Sequence, residues 1–179
     1  MAAHPKPLLI TVEEYCNLPE REDVVLELHW GRVVELSRPK TWHIDLQDRI
    51  ADLLKARCGP NWRVRVEMSF RAVLQYDVRA VDVGVASKSR WDAARKGYLS
   101  GSPEIVIEIL SPSNRRKEIA DKMILFLSTG TRQFCAIDPN RQTVSVTGTD
   151  SKTLIYKMGD EVPFPLLGTS LKVSEIFSD

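Results

Sequence analysis

The stretch Ile105-Val106-Ile107-Glu108-Ile109-Leu110 constrains this chain more than any other. Five of its residues are apolar and branched and none is a turn former, so it reads as a β-strand buried on both faces. Glu108 is the exception. An isolated ionised carboxylate in such a strand costs several kcal/mol unless it is paired or metal-bound. A second run, Val81 to Val85, carries Asp82 in the same way. Two such acids in nearby strands suggest a metal site. The plainer alternatives are a strand near a sheet edge that turns one side chain to water, or pairing with an arginine such as Arg79 or Arg65.

The 179 residues, 20.3 kDa, fit one domain over 1–179 with enough chain to bury a core. With 43% hydrophobic and 27% charged residues, disorder is excluded as a general description. No apolar run is long enough to cross a membrane, and Leu8-Leu9-Ile10 is too short for the centre of a signal peptide. A cytoplasmic protein without membrane contact is the expectation. Cys16, Cys58 and Cys135 are odd in number, far apart and in no CxxC pattern, which argues against a disulfide partner and against zinc. His4, His29 and His43 show no HExxH spacing. Oxygen ligands remain, and with them magnesium or manganese.

A formal net charge of +1 conceals a segregation. Residues 1–54 hold 6 Lys/Arg and 10 Asp/Glu, whereas residues 55–122 hold 14 and 8. The basic third contains both acid-bearing strands, and a positive field around an acidic site suits a phosphate-bearing substrate. Arg63, Arg65, Arg71, Arg79, Lys88 and Arg90 are its candidate nucleic-acid contacts.

Thr11 and Glu14 form a capping box for a short helix, and Val24–Leu28 with Arg32–Leu36 read as a hairpin turning at Gly31. Thr41 is placed to cap a helix with apolar positions Ile44, Leu46, Ile50, Leu53 and Leu54, stopped by Cys58-Gly59-Pro60. Strands are predicted over Trp62–Met68, Phe70–Leu74 and Val78–Ala86, then Glu104–Leu110. Ser113 is placed to cap a helix running through Ser128, and Gly130 to end it. Strands at 132–137, 143–146 and 154–157 close the series. Helices alternating with hairpins and strands describe an α/β domain, in the α+β sense, with a mixed sheet. No GxxxxGK[ST] or GxGxxG motif is present, and Ser111 is not in a GxSxG elbow.

Lys122 falls at the edge of the helix's apolar stripe, three residues after Ile119 and four before Phe126. From there it can reach inward over the strand ends, or pair at the surface with Glu118. Asp in one strand, Glu in another, then Ser-Pro-Ser and a helix with lysine is a specific order. It resembles the Uma-two family of restriction-endonuclease-like proteins, within the PD-(D/E)xK nuclease superfamily. The likeness runs through Thr11-Val12-Glu13-Glu14-Tyr15, Leu26-Glu27-Leu28 with Gly31, Val81-Asp82-Val83, Pro103 to Ser113, Asp121-Lys122 and Ile137-Asp138-Pro139. Val81 stands where the superfamily name has Pro, and Leu110 where it has Lys.

The resemblance implies a restriction-endonuclease-like mixed β-sheet flanked by helices. It also implies a metal-dependent DNA endonuclease, in which Asp82 and Glu108 hold Mg2+ or Mn2+, a backbone carbonyl near Ile109 adds a ligand, and Lys122 supplies the missing lysine from the helix. Lys122 would orient water or neutralise the transition state. Glu27 matches a family acid, as a third carboxylate or a solvent-facing one. His43 matches a frequent family histidine and reads as a helix-terminus or surface residue. One site per chain favours a homodimer if both strands are cut. Two other readings stay open: an inactive nucleic-acid-binding or regulatory module on the nuclease fold, and a hydrolase of another phosphoester.

Overall fold

A computed structural model describes residues 9–19, 21–111 and 116–178. In chain order it forms α1 (Val12–Cys16), β1 (Val24–His29), β2 (Arg32–Ser37), α2 (Thr41–Arg57), β3 (Trp62–Arg71), β4 (Arg79–Ser87), α3 (Lys88–Ala93), β5 (Leu99–Ser100) and β6 (Ile105–Ile109). There follow α4 (Arg116–Thr129), β7 (Gln133–Asp138), β8 (Thr143–Gly148), β9 (Thr153–Tyr156), β10 (Glu161–Phe164), β11 (Thr169–Lys172) and α5 (Val173–Phe177).

Seven strands make one sheet in the order β5-β3-β4-β6-β7-β8-β9. β6 and β7 run parallel, so the chain must cross over between them, and α4 is that crossover. β4 pairs antiparallel with β3 and with β6. The expected mixed sheet flanked by helices is therefore what forms. All five residues of β6 are buried, as an apolar strand between two helical layers requires. On one face Leu46, Ile50, Ala51 and Leu54 of α2 pack on Val83, Val85, Ile105, Ile107 and Ile109, joined by Val162, Leu171 and Ile176 from the C-terminal hairpin and α5. On the other, Phe126 of α4 packs on Phe70, Val106 and Phe134.

Several local expectations hold, and others shift for physical reasons. The capping box at Thr11 forms, with Thr11 Oγ1 accepting from the Glu14 amide. The β1–β2 turn puts Trp30 and Gly31 at φ of 53° and 78°, the left-handed pair that a two-residue hairpin requires. Thr41 is the first helical residue and not the cap; Lys40 takes that place without a side-chain hydrogen bond. Ser113 lies outside the described residues. The two strands predicted around Ser69 are one, β3, and β10, β11 and α5 come from a segment to which the sequence patterns assigned no element.

One distortion positions everything that follows. Side chains two apart on a strand share a face. Yet Val64 and Val66 pack with α2, whereas Met68 and Phe70 pack with α4. β4 does the same, with Val83 and Val85 on the α2 side and Val81 on the other. The switch falls at Glu67, whose φ of 48° is left-handed. Such a backbone costs a residue bearing a Cβ roughly 1–2 kcal/mol. The ladder registers on either side place Glu67 opposite Asp82, so the break in both strands lies at one point of the sheet. The expected outcome at Glu67 inverts strand preference: Glu67→Gly should be more stable than Glu67→Ala by about 1 kcal/mol, measured as the difference in urea midpoints at equal slope.

Candidate active site

Asp82 sits at the switch point. The pairs Val83↔Ile107 and Gly84↔Val106 put it one step further along, opposite Glu108. There a side chain continues the ladder: Asp82 Oδ2 accepts from the Ile109 amide at 2.6 Å. Its Oδ1 accepts from Gln47 Nε2 at 2.9 Å and contacts His43 Nε2 at 3.0 Å. Both partners project from α2, four residues apart on one helix face.

Glu108, about 4% exposed, is approached from the opposite layer. Lys122 Nζ donates to Glu108 Oε2 at 2.8 Å. Glu108 Oε1 is buried without a hydrogen-bond partner among the described residues. Lys122 thus reaches inward over β6, and its ion pair is with the strand acid. Glu27, buried at 3% exposure, accepts from the Ala80 amide at 2.9 Å through Oε1 and contacts His29 Nε2 at 2.5 Å through Oε2. It is close enough to Lys122 and Glu108 to act on the charge of both. Of the two places open to it, the inward one is taken. Glu67 completes the group, its Oε1 accepting from Gln47 Nε2 at 2.5 Å, so that one amide bridges Glu67 and Asp82.

The electrostatics follow from four acids near one lysine. Burial pushes the Glu108 carboxyl up to about 7, reinforced by Asp82 and Glu27 and opposed by Lys122. The Lys122 ammonium is disfavoured by burial, yet Glu108 and Glu27 outweigh this and raise it. Glu67 is exposed as a residue, yet desolvation of its carboxyl, with Asp82 nearby, raises it against the opposing bond from Gln47. Burial works against the charge of His43, but its bond to Asp82 prevails and raises its pKa. Burial also works to raise Glu27, and His29, Lys122 and the Ala80 amide together hold it below the usual value.

The structure brings Asp82, Glu108, Lys122 and Glu27 together, as the residue order implied. His43 is no surface histidine: its imidazole turns under Trp42, ring centroids 5.2 Å apart, onto Asp82. The Ile109 amide also serves the site, by holding Asp82. Gln47 and Glu67 went unnoticed. Gln47 carried a signal, a polar residue beside Leu46 in the apolar stripe of α2 and itself buried. Glu67 carried none, because Arg63, Arg65 and Glu67 read as a solvated strand face.

The basic candidates divide. Arg79 is buried and forks onto Asp77, Nε to Oδ1 and Nη2 to Oδ2 both at 2.9 Å, so it serves the fold. Arg90 pairs with Glu104 at 2.7 Å and donates to the carbonyls of Ser100, Gly101 and Ser102. Arg71 bonds Glu13 and the Leu74 carbonyl, both at 3.2 Å. Lys88 pairs with Asp92. Arg63 and Arg65 lie along β3, with the Arg65 guanidinium 5.2 Å above the Trp91 ring.

Among the described residues no three His, Cys, Asp or Glu side chains are gathered into a ready metal cage. The donor set nevertheless suits a hard cation, because Glu108 Oε1 is a buried oxygen lacking a partner and its neighbours are carboxylates. The linkage of Glu108 has a definite sign. Its folded pKa lies above the unfolded value, so its contribution is fully present below about 4.5 and is lost as pH rises through about 7. Without divalent cations, the stability of wild type minus that of Glu108→Gln should fall by roughly 3 kcal/mol between those limits, measured by denaturant titration at stepped pH.

Acids from two adjacent strands of a mixed sheet are thus met by a lysine from the crossover helix. The chain is similar over its whole fold to a solved protein of Anabaena variabilis ATCC 29413, described as "a putative nuclease belonging to DUF820". The TM-score is 0.79 and the identity 25%, over 94% of this chain and 98% of that one. The model of the Uma2 family, described as "Putative restriction endonuclease", matches residues 12–174, and the chain belongs to that family. No curated protein matches it. Among the described residues no helix is long and apolar enough to cross a membrane.

Proposed function

We propose that the protein is a divalent-cation-dependent DNA endonuclease in which Asp82 and Glu108 hold Mg2+ or Mn2+ and Lys122 stabilises the transition state. The observation that carries this is the divided state of Glu108, one oxygen on Lys122 Nζ and the other buried and unpartnered beside Asp82. Family membership supports the reaction class. A bound cation supplies a Lewis acid for the phosphoryl oxygen and an acidified water. The chain's own residues do the rest. His43 and Gln47 fix the Asp82 carboxylate from α2 while the Ile109 amide fixes it from β6, so its orientation is set before substrate arrives. Lys122, once released from Glu108, has an ammonium poised where negative charge builds on the phosphoryl oxygens. Glu27 keeps that ammonium protonated. A second chain is needed only where both strands of a duplex are cut.

Two measurements test the reading. Magnesium or manganese should stabilise the wild type, by about 2.7 kcal/mol at a hundredfold excess over the dissociation constant, and Asp82→Asn should abolish the rise in melting temperature. An undiminished rise in that variant places the cation elsewhere. Lys122→Ala should lower cleavage of DNA by about 10²–10³-fold with binding largely retained, because one phosphate contact among several carries little of the affinity. Single-stranded, duplex and branched DNA should be assayed with both metals. Salt-sensitive binding with no cutting of any of the three assigns the protein to the regulatory reading instead.

A further inference from the structure

Two grooves on the molecule lie away from the acid cluster. One, about 350 Å³, is lined by Lys55, Pro60, Trp62, Arg63, Val64 and Arg65 among others. The second, about 480 Å³, is lined by Asn61, Trp62, Ser87, Lys88, Ser89 and Asp92. Both are lined by Trp62, at the start of β3. That part of β3 is a sheet edge: β5 pairs only with Phe70 and Arg71, and residues 62–69 have no strand on that side among the described residues. An open edge invites strand addition, and here it is blunted by charge. Arg63 Nη1 donates to the Trp62 carbonyl and Arg65 Nη1 to the Val64 carbonyl, both at 2.8 Å. Each guanidinium anchors itself through Nη1, which leaves the rest of its donor fork facing outward.

Spacing gives this edge a direction. Alternate residues of a strand lie about 7 Å apart, a separation comparable with that of adjacent phosphates along one nucleic-acid strand. Arg63 and Arg65 form such a pair on the face opposite Val64, and two residues further on Glu67 turns to the α2 face, where Gln47 ties it to Asp82. Two cations in line therefore precede the point where the strand changes face. Lys55 and Lys88 stand on either side, held by Asp52 and Asp92 respectively. Trp62 between the grooves, and Trp91 under Arg65, are aromatic surfaces beside a basic track, the combination that holds unpaired bases.

We propose that the β3 edge is a track for one unpaired nucleic-acid strand, with Arg63 and Arg65 on successive phosphates beside the strand that carries Asp82, and with Trp62 stacking a base. This rests on the nuclease reading and adds the substrate class: single-stranded or locally opened nucleic acid, with Arg71, Arg79 and Arg90 outside the contact.

The test is binding of a fluorescently labelled oligothymidylate and of a blunt duplex of equal length to the full chain without divalent metal. A salt series and tryptophan quenching are read in parallel. The wild type should prefer the single strand. The Arg63→Ala/Arg65→Ala double variant should bind roughly tenfold more weakly, with the slope of log affinity against log salt reduced by about 1.4, and Arg63→Lys/Arg65→Lys should restore the slope. Arg71→Ala should behave as wild type, and Trp62→Leu should remove most of the quenching. Where the double alanine variant does not fold, Lys55→Ala/Lys88→Ala, with both side chains at the surface, should reduce the slope in its place. Duplex preference, an unchanged slope in the alanine variants, or equal damage from Arg71→Ala overturns the track. Failure of the nuclease reading looks different: the oligonucleotide then binds through Arg63 and Arg65 but is not cut with either metal.

Discussion

The hydrogen bond from the Ile109 amide to Asp82 Oδ2 is the interaction on which the rest depends. Backbone pairing of β4 with β6 is recorded from Val85↔Ile105 to Val83↔Ile107, and the next connection between the strands is made by a side chain. A carboxylate that replaces a carbonyl in a ladder keeps the strands together while moving the negative oxygen out of the backbone and into a space between them. Glu108 is its neighbour by register. The acid pair is therefore a consequence of how the two central strands stop pairing, and no loop has to be ordered to create it.

Such a placement is unfavourable in itself. Glu108 and Asp82 are like charges in a poorly hydrated position, and the protein offsets them from two directions, with His43 and Gln47 from the α2 layer and Lys122 from the α4 layer. The left-handed backbone at Glu67 adds a further local cost. Strain and desolvation are thus concentrated at one point of an otherwise well-packed sheet. The buried pair Asp77–Arg79, only a few residues away, shows the contrast: its charges are matched oxygen to nitrogen, and it has nothing left to offer a ligand.

Much of this was legible in the sequence, because an apolar run interrupted by a single acid demands a partner for that charge. Glu108 and Asp82 were readable from burial cost, Lys122 from its place at the rim of a helical stripe, and the mixed sheet from the order of periodic segments. The participation of His43 was not, since a histidine in the first turn of a helix looks the same whether it meets water or a carboxylate two strands away in sequence. Glu67 was hidden more deeply. Its role depends on a change of face that alternation rules assume does not occur, and neither a glycine nor a proline marks the place. Arg79 misled for the opposite reason: charge counting cannot distinguish a guanidinium that meets solvent from one locked to Asp77.

The approach of α2 and α4 to one acid pair from opposite faces of the sheet has a consequence for inheritance. Each half of the site belongs to a different hydrophobic core, so substitutions that repack one layer leave the other half in place. Lineages can lose the lysine side or the histidine and glutamine side separately, and a folded descendant that retains either half still carries the acids and the basic edge. A chain built this way can lose one half of the support around its acids without losing the fold.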